Sequence, residues 1–193
     1  MLQGKFIKMK NAPSRNIVLI TRPNHDLPTA YISTWASLVF QYARGRTVLD
    51  LKGKKASKDN IQSYITKHQP KLLFLNGHGS PKSITGYDNE VLIDENNANL
   101  LAEKITYALS CDAGLILGVK AIESGALAFI GYSKSFVVGY LEEYQTRPLH
   151  DKLAKLFLEP SNLIPISLLK GNTVSHAYRK SQNASFKNFS FVL

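Results

Sequence analysis

Short unbroken apolar runs alternate along this chain with longer segments whose apolar residues recur at helical spacing. Ile17-Val18-Leu19-Ile20 is continuous and rich in branched side chains, which predicts a buried strand. From Thr29 onward, Tyr31, Trp35, Leu38, Val39 and Tyr42 fall on one face of a helix that Gly45 stops. Residues 47–51 repeat the strand pattern. Ser57 stands where a helix cap is expected, Ile61, Tyr64, Ile65 and His68 share the face that follows, and Pro70 closes the helix. A third apolar run ends at His78 and a fourth at Cys111, while Gly125-Ala126-Leu127-Ala128-Phe129-Ile130-Gly131 predicts a fifth strand. Between the third and fourth runs the chain is polar and turn-rich, with Ile84, Val91, Leu92 and Ile93 predicting a small hairpin. Leu100, Leu101 and Ala102 mark a short helix, and residues 113–124 suit another.

Strands alternating with helices predict an α/β fold: a mostly parallel central sheet covered on both faces, a three-layer α/β/α sandwich with right-handed crossovers. Reacting groups in such sheets collect beyond the carboxyl ends of the strands. In the C-terminal third, Leu149, Leu153, Leu156 and Phe157 predict one helix, and Val174, Ala177, Tyr178 and Ser181 another. Residues 163–169 read as a strand between them, and the alternation of Phe186, Phe189 and Phe191 with polar residues reads as an edge strand. At 193 residues and 44% hydrophobic the chain can bury one substantial core, so a single domain is expected over residues 1–193. Residues 1–15 read as a flexible lead and residues 133–193 as the C-terminal part of the same domain.

Nowhere does an apolar stretch reach the roughly 20 residues that cross a bilayer, and residues 1–10 lack the pattern of a secretory signal. The expectation is a soluble, cytoplasmic protein with no membrane partner. One cysteine can form neither an internal disulfide nor a Cys-rich zinc site. No His/Asp/Glu cluster has metal-ligand spacing in the sequence, so neither a metal nor another cofactor is expected. Twenty-four Lys and Arg against fourteen acids give a charge of +10, a level that brings nucleic acid into view as a partner. The basic residues are spread, with the densest group at Lys52, Lys54, Lys55 and Lys58, and no nucleic-acid motif accompanies them. A solvated basic surface is the favoured reading, and a regulatory protein partner is the other candidate for it.

The candidate chemistry lies at two strand ends. Leu72-Leu73-Phe74-Leu75-Asn76-Gly77-His78-Gly79 and Ile105-Thr106-Tyr107-Ala108-Leu109-Ser110-Cys111-Asp112-Ala113-Gly114 each carry a reactive residue just past an apolar block. Parallel neighbouring strands would bring imidazole and thiol to the same sheet edge, as a nucleophile and its base. His25, His68, His150 and His176 have no comparable partner in the sequence.

These two blocks, with Gly125 to Gly131, resemble the caspase-like cysteine peptidases, and within them the gingipain-like and CHAT-domain branch. The resemblance covers about residues 17–132. It implies a cysteine endopeptidase acting on a protein or peptide substrate. Cys111 would be the nucleophile and His78 its general base and acid, with the N–H groups of Gly79 and Cys111 as oxyanion hole. A helix starting near Ala113 would support the thiol through its dipole. The position two residues before the nucleophile, acidic in some members, is Leu109 here. Asp26, in the loop after the first strand, is then either the anchor for a basic substrate residue or the cap of the following helix. Arg22 in the same loop would suit an acidic residue instead. Ser133 and Phe136 would line the pocket wall or serve only as strand-to-loop packing. The alternative class is a catalytically silent domain of the same fold that binds protein or nucleic acid.

Overall fold

The computed structural model describes residues 16–190. Five parallel strands, β1 (Ile17–Arg22), β2 (Thr47–Lys52), β3 (Leu72–Asn76), β7 (Ile105–Leu109) and β8 (Ala128–Ile130), form the central sheet in the order β2-β1-β3-β7-β8. All six residues of β1 and all five of β3 are buried, as strands covered on both faces must be. Alternation along the strands divides the core in two. Val18, Ile20, Phe74 and Tyr107 meet side chains of α1 (Leu27–Ala36), α4 (Lys152–Leu169) and α5 (Val174–Phe189). Leu19, Leu51, Leu73, Leu75 and Ala108 meet α2 (Lys58–His68) and α3 (Leu117–Glu123) on the other face. The result is the three-layer α/β/α arrangement that the alternation of patterns implies.

The expected hairpin is present as β4 (Gly79–Ser80), β5 (Ser83–Thr85) and β6 (Val91–Asp94), a small antiparallel sheet that begins directly after His78. Ser57 caps α2 by accepting the N–H of Asn60, and Gln69 ends the helix in the left-handed region, one residue before Pro70.

The C-terminal third holds both expected helices, as α4 and α5, but neither of the expected strands. Residues 163–169 are helical, not strand, inside a continuous α4 that contains Pro160 and Pro165. Proline at 160 has no N–H for the Leu156 carbonyl four residues earlier, and the Asn188 side-chain amide of α5 donates to that oxygen at 2.9 Å instead. Leu158, Ile164 and Leu168 are buried in the first core, so tertiary packing overrides the local preference. Residues 186–189 likewise continue α5 rather than forming an edge strand, with the Phe189 ring 5.1 Å from that of Phe157. Phe191 and the lead assigned to residues 1–15 lie outside the described residues. Among the described residues no helix is long and apolar enough to cross a membrane.

Candidate functional site

Strands β3 and β7 are hydrogen-bonded neighbours with Asn76 opposite Leu109. The chain therefore leaves both strands at the same edge, and the two exits are tied together. The Gly77 N–H donates to the Leu109 carbonyl at 3.3 Å, and the Ser110 hydroxyl donates to the Gly77 carbonyl at 3.1 Å. A Cβ on Gly79 would sit 2.7 Å from both the Cys111 carbonyl oxygen and the Ser110 Cβ, so only glycine lets the two exits approach so closely. A Cβ on Gly77 would meet the Thr85 carbonyl oxygen at 1.9 Å. These contacts place His78 and Cys111 on the wall of one cleft of about 330 Å³, lined also by Pro28, Ile32, Phe136 and Val138.

The Cys111 sulfur is half-buried. It accepts the Phe136 N–H at 3.3 Å and lies 3.8 Å from the Phe136 carbonyl, so the loop after β8 holds it in place. Phe136 packs on Tyr132 with ring centroids 4.7 Å apart and faces the cleft, whereas Ser133 is exposed and lines a separate cavity with Tyr107 and Tyr132. The helix expected at Ala113 begins only at Leu117, after a turn, with Asp112 in the left-handed region (φ 57°) and hydrogen-bonded by Ser135. Its N-terminus is thus six residues past the cysteine, and the dipole support expected for the thiol is corrected: the field of a helix end fades within one turn.

Asp26 caps α1. Its carboxylate accepts the Thr29 N–H at 2.9 Å, and the Thr29 hydroxyl accepts the Asp26 N–H, completing a capping box. Its second oxygen, Oδ2, is 2.6 Å from His78 Nε2, which leaves Nδ1 as the ring nitrogen not taken by the carboxylate. Burial pushes the Asp26 carboxyl up, but the hydrogen bonds from Thr29 and His78 outweigh it and hold the carboxyl down at about 2. Arg22 does not face the cleft. Its guanidinium is buried, forms a bidentate pair with Asp50 at 2.9 and 2.6 Å, and donates to the Ser33 carbonyl.

His25, without a partner in the linear reading, has its Nε2 3.7 Å from Asp26 Oδ2, with its ring 6.0 Å from that of His78 and 5.4 Å from that of Tyr87. Adjacency to Asp26 was visible in the letters. The missing link was the pairing of β1 with β3, which carries the loop after β1 alongside His78, 52 residues away. His25, Asp26 and His78 thereby form a group of potential metal ligands that linear spacing did not disclose.

No protein-family model matches the chain, and no curated protein matches it. Among solved structures, the chain is similar to the signal receiver domain of a protein described as a Luxo repressor from Vibrio parahaemolyticus. That likeness has 14% identity and a TM-score of 0.36, and it covers 77% of this chain and 94% of the other. At that distance it assigns no activity here. The expected membership of the caspase-like cysteine peptidases is corrected by these findings: no family model and no curated protein brings in a caspase-like peptidase. With it go the cysteine endopeptidase activity and the protease description drawn from that resemblance, including its silent caspase-like variant.

Proposed function

We propose that this chain is a sensing domain that captures a small carbonyl-bearing electrophile, reversibly and in equal stoichiometry, through Cys111. The observation that carries this reading is that the thiol and an imidazole, itself fixed by Asp26, both line the wall of one cleft. At about 330 Å³ the cleft suits a small molecule. Its apolar walls at Pro28, Ile32 and Val138 would hold an alkyl chain.

In this reading Cys111 is the nucleophile and His78 the base. The sulfur bonds to an aldehyde carbon, the carbonyl π electrons move to oxygen, and the thiol proton reaches that oxygen through the imidazole. The product is a hemithioacetal; no group leaves and no water is consumed. The N–H groups of Gly79 and Cys111, whose backbones are in contact, are the proposed donors to the developing oxyanion. Asp26 orients the imidazole, Phe136 fixes the sulfur, and Ser133 takes no part.

The test is iodoacetamide alkylation followed by intact mass, with the same chain unfolded in guanidinium as its own reference. Folded Cys111 should react at least about tenfold faster, a conservative threshold beside the roughly 10²–10⁴-fold that a positioned base contributes. His78→Ala should remove the gain, and a short aliphatic aldehyde should protect the wild type. A thiol that reacts no faster folded than unfolded, or that an aldehyde does not protect, overturns the reading.

A further inference from the structure

His25 is the most poorly matched polar group in this part of the molecule. Its side chain is 10% exposed, and both ring nitrogens are buried without a hydrogen-bond partner. A buried imidazole in that state carries an uncompensated desolvation cost. Beside it stand a carboxylate and a second imidazole, and one ligand atom from each of His25, Asp26 and His78 lies within 4.8 Å of the other two.

We infer that His25, Asp26 and His78 bind a zinc ion. Two imidazole nitrogens and one carboxylate oxygen are a donor set suited to zinc, and three protein ligands leave a fourth position for solvent or a small ligand. Zinc bonds of roughly 2.0–2.1 Å set tetrahedral donors about 3.3 Å apart. The 2.6 Å His78–Asp26 contact has to widen and the 3.7 Å His25–Asp26 separation has to close, each by less than 1 Å. All three ligands stand on loops beyond the β1 and β3 ends, so the strands need not shift. Binding exchanges one hydrogen bond for three metal bonds and gives the otherwise unpartnered His25 nitrogen its function. It also cross-links the loop after β1 to the loop after β3, one edge of the cleft. Cys111 is not among the ligands, but His78 is shared: with Nε2 on zinc and the proton on Nδ1 it no longer serves the thiol as base, so adding zinc should abolish the alkylation gain of the metal-free chain while Cys111→Ser leaves zinc binding intact.

The experiment strips the 193-residue chain with EDTA, removes the chelator, and titrates zinc against a chromophoric competitor. Cobalt then replaces zinc as a spectroscopic probe. One zinc per chain is expected, with visible cobalt bands of the tetrahedral type. His25→Ala and His78→Ala should each weaken binding at least about tenfold, while Cys111→Ser and His176→Ala leave it within about twofold. His25→Gln, checked by circular dichroism, covers the case in which alanine at this buried position unfolds the chain. Absence of saturable one-to-one binding by the wild type, absence of the cobalt bands, or unchanged affinity in a folded His25 variant would each overturn the inference.

Discussion

Replacing Asp151 should loosen the molecule at the point where the loop walling the cleft is anchored. This carboxylate is fully buried and accepts four hydrogen bonds. Oδ1 takes the N–H groups of Leu153 and Ala154 at the start of α4, and Oδ2 takes the Tyr31 hydroxyl at 2.9 Å and the Leu141 N–H at 2.8 Å. Asp151→Ala removes a helix cap, worth about 1 kcal/mol. It also strands a buried hydroxyl and an amide that faced a charged acceptor, at about 1.5–3 kcal/mol each. A total of about 4–7 kcal/mol corresponds to a fall in Tm of about 8–28 °C for a chain of this size. Asp151→Asn keeps the cap but turns an amino group toward Leu141, and should cost about 2 kcal/mol.

The pH dependence supplies a second reading of the same carboxylate. Burial pushes the Asp151 carboxyl up, yet the donors from Leu141, Ala154, Tyr31 and Leu153 win and hold it below its ordinary 3.8. The unfolded chain therefore binds the proton more tightly. The stability is complete above the unfolded value and is lost as pH falls through the lowered folded one. Thermal melts of wild type and Asp151→Asn should differ most near neutrality and converge in strong acid. Equal melting of the two proteins at neutral pH, or a gap that stays constant into acid, refutes the account.

Gly79→Ala should separate the two strand exits, because its Cβ would stand 2.7 Å from the Cys111 carbonyl oxygen. We expect a loss of about 1–3 kcal/mol in urea unfolding, together with slower Cys111 alkylation, and a fully stable variant would show that the approach is not tight. Asn188→Ala should cost about 1 kcal/mol in the wild type but less in a Pro160→Ala background, where a backbone N–H can serve the Leu156 carbonyl. A double-mutant cycle with no coupling would sink that explanation of how α4 accommodates its proline.

Why the sheet and the C-terminal helices were legible while residues 163–169 were not follows from where the information resides. Ile17–Arg22 and Leu72–Asn76 are buried on both faces, so each had to be a continuous apolar run, and a continuous run bounded by turns has few readings. Residues 163–169 are also apolar and branched, but what makes them helical is remote: the sheet under Leu158 and Ile164, and the Asn188 amide that serves the carbonyl left by Pro160. Neither partner is visible in a local window. The short strand Ala128–Ile130 and the late start of α3 at Leu117 show the same limit at element boundaries, where loop hydrogen bonds such as Gly114 N–H to the Tyr132 carbonyl decide the outcome.

The site divides along the same line. His78 and Cys111 could be paired from the letters because each follows an apolar block directly, and strand adjacency then does the rest. The third and fourth participants could not. Asp26 was legible as a helix cap, since a carboxylate before Leu27-Pro28-Thr29 has an immediate local use, but the oxygen left over after capping is the one that reaches His78. His25 offered no local use at all, and its meaning depends on β1 lying between β2 and β3 rather than at the sheet edge. A residue whose local role is complete hides a second role, and one with no local role hides its only one. Both are recovered by asking which buried polar atoms in the folded chain still lack a partner, and beside His78 that question leads to His25.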